Sequence, residues 1–235
     1  SSMTDCTIEI WFKLLTVSNP HGWLVSSDNG GYDRGVIVHD YRFGGGVAPI
    51  PGAAYNSGLP APTLNEWSHV VVVYRQGGES AAFLNGVKSN THSPTSNGEG
   101  LTTLAVGTLP ARAASHAVDA WVKSITIWNE ALSDTFVQGM RWDPPLPSML
   151  PSPVFEVDFG DASHQSMYTL HKGAHIGSVG NIEALRVGGG KHATLPININ
   201  PSSMTDCTIE IWFKLLTVSN GRGSVGWLVS SDNNG

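Results

Sequence analysis

Charge is scarce in this chain of 235 residues. Only 14% of its residues are Asp, Glu, Lys or Arg, the formal net charge is −6, and Lys and Arg do not cluster. A mildly acidic chain without basic patches is repelled by phosphate, so we expect no nucleic-acid partner. No apolar run reaches the roughly 18 residues that a membrane-spanning helix needs. We therefore expect no membrane insertion in this segment.

Cysteine is also scarce, and both copies belong to a duplicated segment. Residues 1–19 (SSMTDCTIEIWFKLLTVSN) recur letter for letter as residues 202–220, which makes Cys6 and Cys207 equivalent. The copies then differ at a turn, PH against GRGSV, and both continue as GWLVSSDN. Insertions confined to a loop are well tolerated, because the entropy of loop closure grows slowly with length. We interpret the chain as a window from a tandem repeat with one cysteine per module, an engineered permutation being the alternative.

A proline-rich stretch marks the predicted boundary between modules. Residues 143–153 (DPPLPSMLPSP) contain five of the 14 prolines, a composition typical of a semi-rigid linker. We predict that residues 1–142 are the later part of one module and residues 154–235 the first part of the next, in which residues 202–235 repeat residues 1–31. One repeat is then about 190 residues long, enough for a domain with its own core.

Hydrophobic periodicity predicts an all-β chain. Residues 7–14 (TIEIWFKL) and 121–128 (WVKSITIW) alternate apolar and polar positions, as a strand with one buried face does. Residues 69–74 (HVVVVY) form a β-branched run typical of a strand covered on both faces. Asn85-Gly86 predicts a type I′ hairpin, because both turn positions need positive φ.

One short helix is predicted over residues 134–140, with Ser133 as its N-cap and Asp134 in its first turn. Many short strands separated by turn residues favour an antiparallel sandwich. The predicted fold class is therefore all-β with one short helix.

The order of these segments resembles the laminin-G/pentraxin branch of the concanavalin A-like jelly rolls. The resemblance lies in TIEIWFKL, GWLVSSDNGG, NEWSHVVVVYRQGGESAAFLNGVKS, LTTLAVG and VDAWVKSITIWNEALS. It implies a jelly-roll sandwich of two antiparallel sheets, one of them concave, in which residues 154–161 (VFEVDFGD) form a first strand pairing near the last. It also implies a binding module of secreted or surface proteins that recognises glycans or proteins, often with calcium.

The predicted calcium ligands are oxygen-bearing side chains near one Gly-rich turn. Calcium takes several oxygen ligands converging from loops. The candidates are Asp28, Asn29 and Asp33 in SSDNGGYDR, with Asp119 near the rim. The alternative is that these residues only form the turn. Lys123 stands in the last strand, where such domains commonly place an acidic residue.

Four aromatic residues are the candidate ligand-binding residues: Trp11, Trp23, Tyr32 and Tyr41. The C–H face of a sugar stacks on such rings, so a lectin would present them on its concave side. Trp11 is the strongest candidate, because strand alternation directs it away from the apolar face of its strand. The alternative is that these rings pack the sandwich or the contacts between modules.

Catalysis is the less favoured interpretation. β-Glucanases share this fold and place acids at alternate positions of one strand, and Glu156, Asp158 and Asp161 have a superficially similar spacing. Retaining hydrolysis needs two carboxyls about 5–5.5 Å apart across a cleft, whereas Gly160 interrupts this strand. We therefore expect that the chain is not an enzyme.

The predicted function is that of a non-catalytic repeat module of a large surface or extracellular protein, acting as a structural spacer and an adhesive, ligand-binding domain. The first alternative is a calcium-assisted carbohydrate-binding lectin domain, and the second is a glycoside hydrolase. The expected partners are adjacent repeat modules together with glycans or surface proteins. The two copies of the duplicated segment should also compete for one place in the module, so that head-to-tail strand exchange between chains is a further expectation.

Overall fold

Two β-sheets form the structure of this chain in a computed structural model. The structure describes residues 6–12, 21–26, 35–39, 46–50, 59, 62–75, 80–90, 103–107, 118–140, 152–188, 190–197, 208–218 and 229–231. Within these ranges, side chains are described for Thr7 and from residue 59 to residue 197, except 118 and 119.

The described elements are mostly short strands. They are β1 (Cys6–Phe12), β2 (His21–Ser26), β3 (Gly35–His39), β4 (Gly46–Ile50), β5 (Ser68–Tyr74), β6 (Ala81–Leu84), β7 (Val87–Lys88), β8 (Leu104–Val106), β9 (Val118–Trp128), β10 (Phe155–Asp158), β11 (Thr169–His171), β12 (His175–Val179), β13 (Ile182–Val187), β14 (His192–Leu195), β15 (Thr208–Val218) and β16 (Val229–Ser231). The described helices are α1 (Asp134–Gly139) and a 3-10 helix (Ala162–Met167). The sequence patterns predicted α1 but not the 3-10 helix.

The strands divide between a first and a second sheet. In the first sheet β12-β13-β9 is followed by one position that β1 and β15 share, since each pairs with both β9 and β5, and then by β5-β6-β7; β10 also pairs with β9. The second sheet has the order β11-β14-β8-β2-β3-β4, with β16 also paired to β8. Apart from the parallel contact of β1 with β15, every described ladder between named strands is antiparallel. The predicted fold class, an antiparallel sandwich with one short α-helix, is confirmed.

Strand β5 is covered on both faces, as its β-branched run predicts. Val70 and Val72 belong to the main core between the two sheets, while Val71 and Val73 belong to a second cluster beneath α1. All seven residues of the strand are buried. Burial holds the pKa of His69 in this strand well below its ordinary value, so the ring is neutral at physiological pH.

The hairpin and the helix cap also agree with the sequence patterns. Asn85 and Gly86 have φ values of 50° and 78°, as a type I′ turn requires. The Asn85 Oδ1 atom accepts a hydrogen bond of 2.8 Å from the backbone N–H of His69, which ties the turn to β5. At the start of α1, the Ser133 hydroxyl oxygen accepts from the N–H of Phe136 at 3.2 Å.

Strands β10 to β14 complete the sandwich around β8 and β9. Strand β10 pairs antiparallel with β9, placing Val157 opposite Ile125, so the pairing predicted for residues 154–161 is present. Strand β13 pairs with β9, and β14 pairs with β8. The segment after the proline-rich stretch therefore packs onto the segment before it.

A charge cluster joins α1 to the first sheet and makes stability dependent on pH. Asp134 accepts hydrogen bonds from Arg75 at 2.7 Å and from Lys88 at 2.5 Å. Burial alone would raise the pKa of Asp134, but the hydrogen bond from Lys88 and the charge of Arg75 outweigh it and lower the pKa. A lowered folded-state pKa means that this stabilisation is complete above the unfolded value near 4 and is lost as pH falls through the folded value.

We expect Asp134→Asn to lower the free energy of unfolding by about 0.5–1 kcal/mol at pH 7, since the pair is partly exposed. Urea denaturation at pH 7 and at pH 3.5 measures this difference. The difference in free energy of unfolding between wild type and variant should be smaller at pH 3.5, because the carboxylate is then partly protonated. Glu66→Gln is the control, since Glu66 is an exposed carboxylate outside this charge cluster. A difference that is equal or larger at pH 3.5 would contradict the stabilising role of the Asp134 charge.

Candidate functional site

A cleft of about 270 Å³ opens at the end of the second sheet where β11 and β14 meet the 3-10 helix. Five of its lining residues carry hydroxyl groups: Thr103, Ser166, Tyr168, Thr169 and Thr194. Its other lining residues are Met167, Leu195 and Pro196. We call this feature the hydroxyl cleft.

Strand register brings the threonines of the hydroxyl cleft together. Thr169 of β11 lies opposite Thr194 of β14 in the antiparallel ladder. Residues directly opposite each other present their side chains on the same face of a sheet. Ala193 and Leu195, the neighbours of Thr194 along the strand, point into the main core. The threonine pair therefore faces away from the core.

The 3-10 helix supplies the opposite wall and is fixed at its start. The Asp161 carboxylate accepts hydrogen bonds from the backbone N–H and the hydroxyl of Ser163, at 2.8 and 2.7 Å. These bonds lower the pKa of Asp161. The backbone N–H of Asp158 donates to Nδ1 of His164 at 3.0 Å, which ties the helix to β10.

Tyr168 links the hydroxyl cleft to the core. Its ring packs against Phe159, with the ring centroids 5.1 Å apart and the planes tilted by 58°. Phe159 is only 1% exposed and belongs to the main core. Partial burial raises the pKa of Tyr168, so its phenol stays protonated at physiological pH and can donate as well as accept hydrogen bonds.

Two stacked histidines border the threonine pair. The rings of His171 and His192 lie 4.7 Å apart and nearly parallel, at 14°. A ring nitrogen of His171 is 2.9 Å from the hydroxyl of Thr194. Burial is the largest cause that lowers the pKa of His192, and the nearby His171 lowers it further. His192 is therefore neutral at physiological pH, and it adds no charge to this side of the cleft.

The chemistry of the hydroxyl cleft suits a neutral, polar ligand. Its lining contains hydroxyls and apolar side chains and no ionisable carboxylate or cation. Each hydroxyl can donate one hydrogen bond and accept others, so a row of them matches the hydroxyls of a polyol. Ligand pockets commonly have volumes of roughly 300–1,000 Å³, so a cleft slightly below that range fits one sugar-sized unit.

The structure separates the predicted aromatic residues. Trp11 lies in β1 of the first sheet opposite His69, whereas Trp23 lies in β2 of the second sheet opposite Ile37. They cannot both belong to one sheet face. Tyr32 and Tyr41 lie outside the described residues. The role of these four aromatic residues in ligand binding stays a prediction.

The predicted calcium ligands are likewise not brought together in the described part of the chain. Asp119 lies in β9, and Asp28, Asn29 and Asp33 lie outside the described residues. Among residues whose surroundings are described, no three His, Cys, Asp or Glu side chains converge as a metal site. Calcium binding stays a prediction.

The three acids of VFEVDFGD have three different surroundings. Glu156 is exposed and lies opposite Thr126. The Asp158 carboxylate forms an ion pair with Lys123 and accepts from the N–H of Gly160 at 2.8 Å. Asp161 caps the 3-10 helix. None of the three lines the hydroxyl cleft.

A half-exposed tryptophan that the sequence left unassigned has a packing role. The Trp121 ring lies so close to Gly177 that a Cβ atom there would be 2.8 Å from it. The Arg186 guanidinium lies 5.8 Å from the centre of the Trp121 ring, and His175 meets the ring edge-on at 6.1 Å. Arg186 and Trp121 are opposite each other in the ladder of β13 with β9. This ring therefore packs against its sheet neighbours.

Sequence reasoning missed the residues of the hydroxyl cleft. The alternation of polar and apolar residues in HATL was a usable signal for Thr194, since His192 and Thr194 are separated by core residue Ala193. The pairing of β11 with β14 was not visible in the sequence.

The helices of the described residues are not long and apolar enough to cross a bilayer.

Comparison with known families agrees with the sandwich fold. A laminin G-type family model, described as the concanavalin A-like lectin/glucanases superfamily, matches residues 2–138. The match covers more than half of the 235 residues, and the chain belongs to this superfamily. No curated protein and no solved structure matches the chain significantly.

Proposed function

We propose that this chain is a non-catalytic module of a repeating surface or extracellular protein, acting as a spacer and as a binding domain for a neutral, sugar-like ligand. The hydroxyl cleft is the observation that carries the proposal. Its five hydroxyl-bearing residues converge from β11, β14, the 3-10 helix with its C-cap Tyr168, and the residue before β8. Convergence of uncharged hydrogen-bonding groups is what recognition of a polyol requires.

The surroundings of the acids favour binding over hydrolysis. A retaining or inverting glycosidase uses two carboxyl groups flanking the scissile bond. Asp158 is neutralised by Lys123, and Asp161 is engaged by Ser163. Glu156 is exposed on β10, away from the cleft lining. A ligand held in the hydroxyl cleft therefore meets no carboxyl pair among the described residues.

The spacer role is supported by the duplicated segment and by the superfamily. The copies at residues 1–19 and 202–220 are identical, as neighbouring modules of a repetitive protein are. Domains of the laminin G type are typical of extracellular proteins, which is consistent with a surface location. Adjacent modules and glycans or surface proteins are the partners that this proposal implies.

Removing hydroxyls from the cleft should weaken ligand binding without unfolding the chain. We expect Thr103→Val and Thr169→Val each to lower affinity by about 2–10-fold, because one lost hydrogen bond is worth roughly 0.5–1.5 kcal/mol. Both side chains are exposed, so stability should be little changed. A panel of neutral oligosaccharides identifies a binder, and isothermal titration then compares the variants.

Thr135→Val is the matched control, since Thr135 is an exposed threonine in α1 far from the cleft lining. Its affinity should equal that of the wild type. Glu156→Gln tests the alternative of hydrolysis with the same oligosaccharides. Slow cleavage by the wild type that disappears in Glu156→Gln would contradict the non-catalytic proposal. Equal weakening by Thr135→Val would contradict the assignment of the cleft.

A further inference from the structure

The two copies of the duplicated segment meet the same partners in the first sheet. Strand β1 places Ile8 opposite Val72 and opposite Ile127. Strand β15 places Ile209, the equivalent residue, opposite the same Val72 and Ile127. The match continues to Trp11 and Trp212, both of which lie opposite His69 of β5. The registers of the two copies are identical.

The same equivalence recurs in the second sheet. Val25 and Val229 are the same position of GWLVSSDN in the two copies. Val25 of β2 and Val229 of β16 both lie opposite Val106 of β8. Each copy therefore supplies one strand to each sheet, at one common position in each.

Only one copy can occupy that position in the first sheet at a time. We call the gap between β5 and residues 125–128 of β9 the strand slot. The other edge of β5 is taken by β6, and the other edge of β9 is taken by β10 and β13. Neighbouring strands lie about 4.7–4.9 Å apart, so the slot has room for a single strand between its two edges. The two copies are thus alternative occupants.

We infer that either copy fills the strand slot, and that the copy left over can enter the slot of a second copy of this chain in place of that chain's own strand. The occupant is the segment Thr208–Val218 or its equivalent in β1. Such exchange makes the strand slot an interaction surface for self-association, whatever ligand the hydroxyl cleft binds.

The strand partners in the slot are the same for either occupant. The hydroxyl of Thr7 donates to the backbone oxygen of Glu130 at 3.2 Å and accepts from the N–H of Leu132 at 3.0 Å. Thr208 is the equivalent residue and has the same strand partner, Trp128. Identical sequences in identical registers form the same ladder, so the two arrangements differ mainly in the entropy of closing their connecting loops. A left-over strand with unpaired edges favours pairing in trans.

Proline variants test whether each copy can fill the strand slot of its own chain. Glu9 and Glu210 lie opposite the same residues, Val71 and Thr126. Proline in a central strand removes a ladder hydrogen bond, so Glu9→Pro disables one copy and Glu210→Pro disables the other. We expect each single variant to melt within about 2 °C of the wild type and the double variant to lose cooperative unfolding. Glu9→Ala with Glu210→Ala is the control that keeps both ladders.

Docking in trans is tested by refolding the double-proline chain together with a second chain. The wild-type chain has one left-over copy, which should fill the empty slot of the double variant and restore its folding. Light scattering should then show a 1:1 complex with twice the single-chain mass of 25.0 kDa. Either single-proline chain has no copy to spare and should form no such complex.

Three results would overturn the inference. One is loss of folding in either single-proline variant, which would mean that the slot accepts only one copy. Another is absence of the 1:1 complex with wild type. The last is equal complex formation by wild type and by the single-proline chains, which would indicate non-specific association.

Discussion

Gly107→Ala should lower the free energy of unfolding by about 2–5 kcal/mol, from two separate costs. Gly107 follows β8 and has a φ of +95°, a conformation that residues with a Cβ atom rarely adopt. A Cβ atom there would also lie 2.6 Å from Cβ of Val187, in a strand of the other sheet. The absence of a side chain lets the two sheets approach at this point. Urea denaturation of the purified variant measures the loss.

Substitutions at two other glycines separate the cost of the left-handed backbone from the cost of the close contact with Val187. Gly173 has a φ of +80°, and a Cβ atom added there would meet nothing within 4 Å, so Gly173→Ala should show only the backbone cost of about 1 kcal/mol. Gly139, in α1, has open space and no left-handed φ, so Gly139→Ala should be neutral or slightly stabilising. A loss for Gly107→Ala no larger than that for Gly173→Ala would refute the close approach to Val187.

Phe159→Ala should lower the free energy of unfolding by about 3–5 kcal/mol and also weaken ligand binding. Phe159 is 1% exposed, and its removal leaves a cavity beneath the Tyr168 ring, 5.1 Å away. Tyr168 lines the hydroxyl cleft, so loss of its support should disorder one wall of the cleft. Denaturation and titration with the same oligosaccharide measure the two effects.

Phe136→Ala is the matched control, because Phe136 is only partly buried against the cluster beneath α1. It should cost less stability and leave the affinity unchanged. Phe159→Leu, which keeps most of the volume, should restore most of both properties. Wild-type affinity in a folded Phe159→Ala chain would contradict the link between core and cleft.

Local signals in the sequence predicted the elements that depend on local chemistry. Asn85-Gly86, the β-branched run of β5 and Ser133 before α1 each act over a few residues, and each prediction is confirmed. The 3-10 helix was missed because its cap, Asp161, stands inside a pattern that otherwise indicates a strand. The conformation there is fixed by the hydrogen bonds of Ser163 and His164.

The candidate site depended on pairings between distant segments, which single-sequence patterns do not contain. Thr103 meets Thr194 and Thr169 only because β8, β14 and β11 are neighbours in the second sheet. Reasoning from residue type favoured aromatic rings, but Trp11 and Trp23 lie in different sheets. The requirement for Gly107 likewise comes from Val187, which reaches it across the sandwich.

The most direct test of the binding role is to map backbone NMR shifts while the chain is titrated with the neutral oligosaccharide selected from the panel. We expect shifts that saturate together at Thr103, Ser166, Tyr168, Thr169 and Thr194, with little change in β5, β10 or α1. Shifts confined to the first sheet, or no saturable shift with any oligosaccharide of the panel, would contradict a binding role for the hydroxyl cleft.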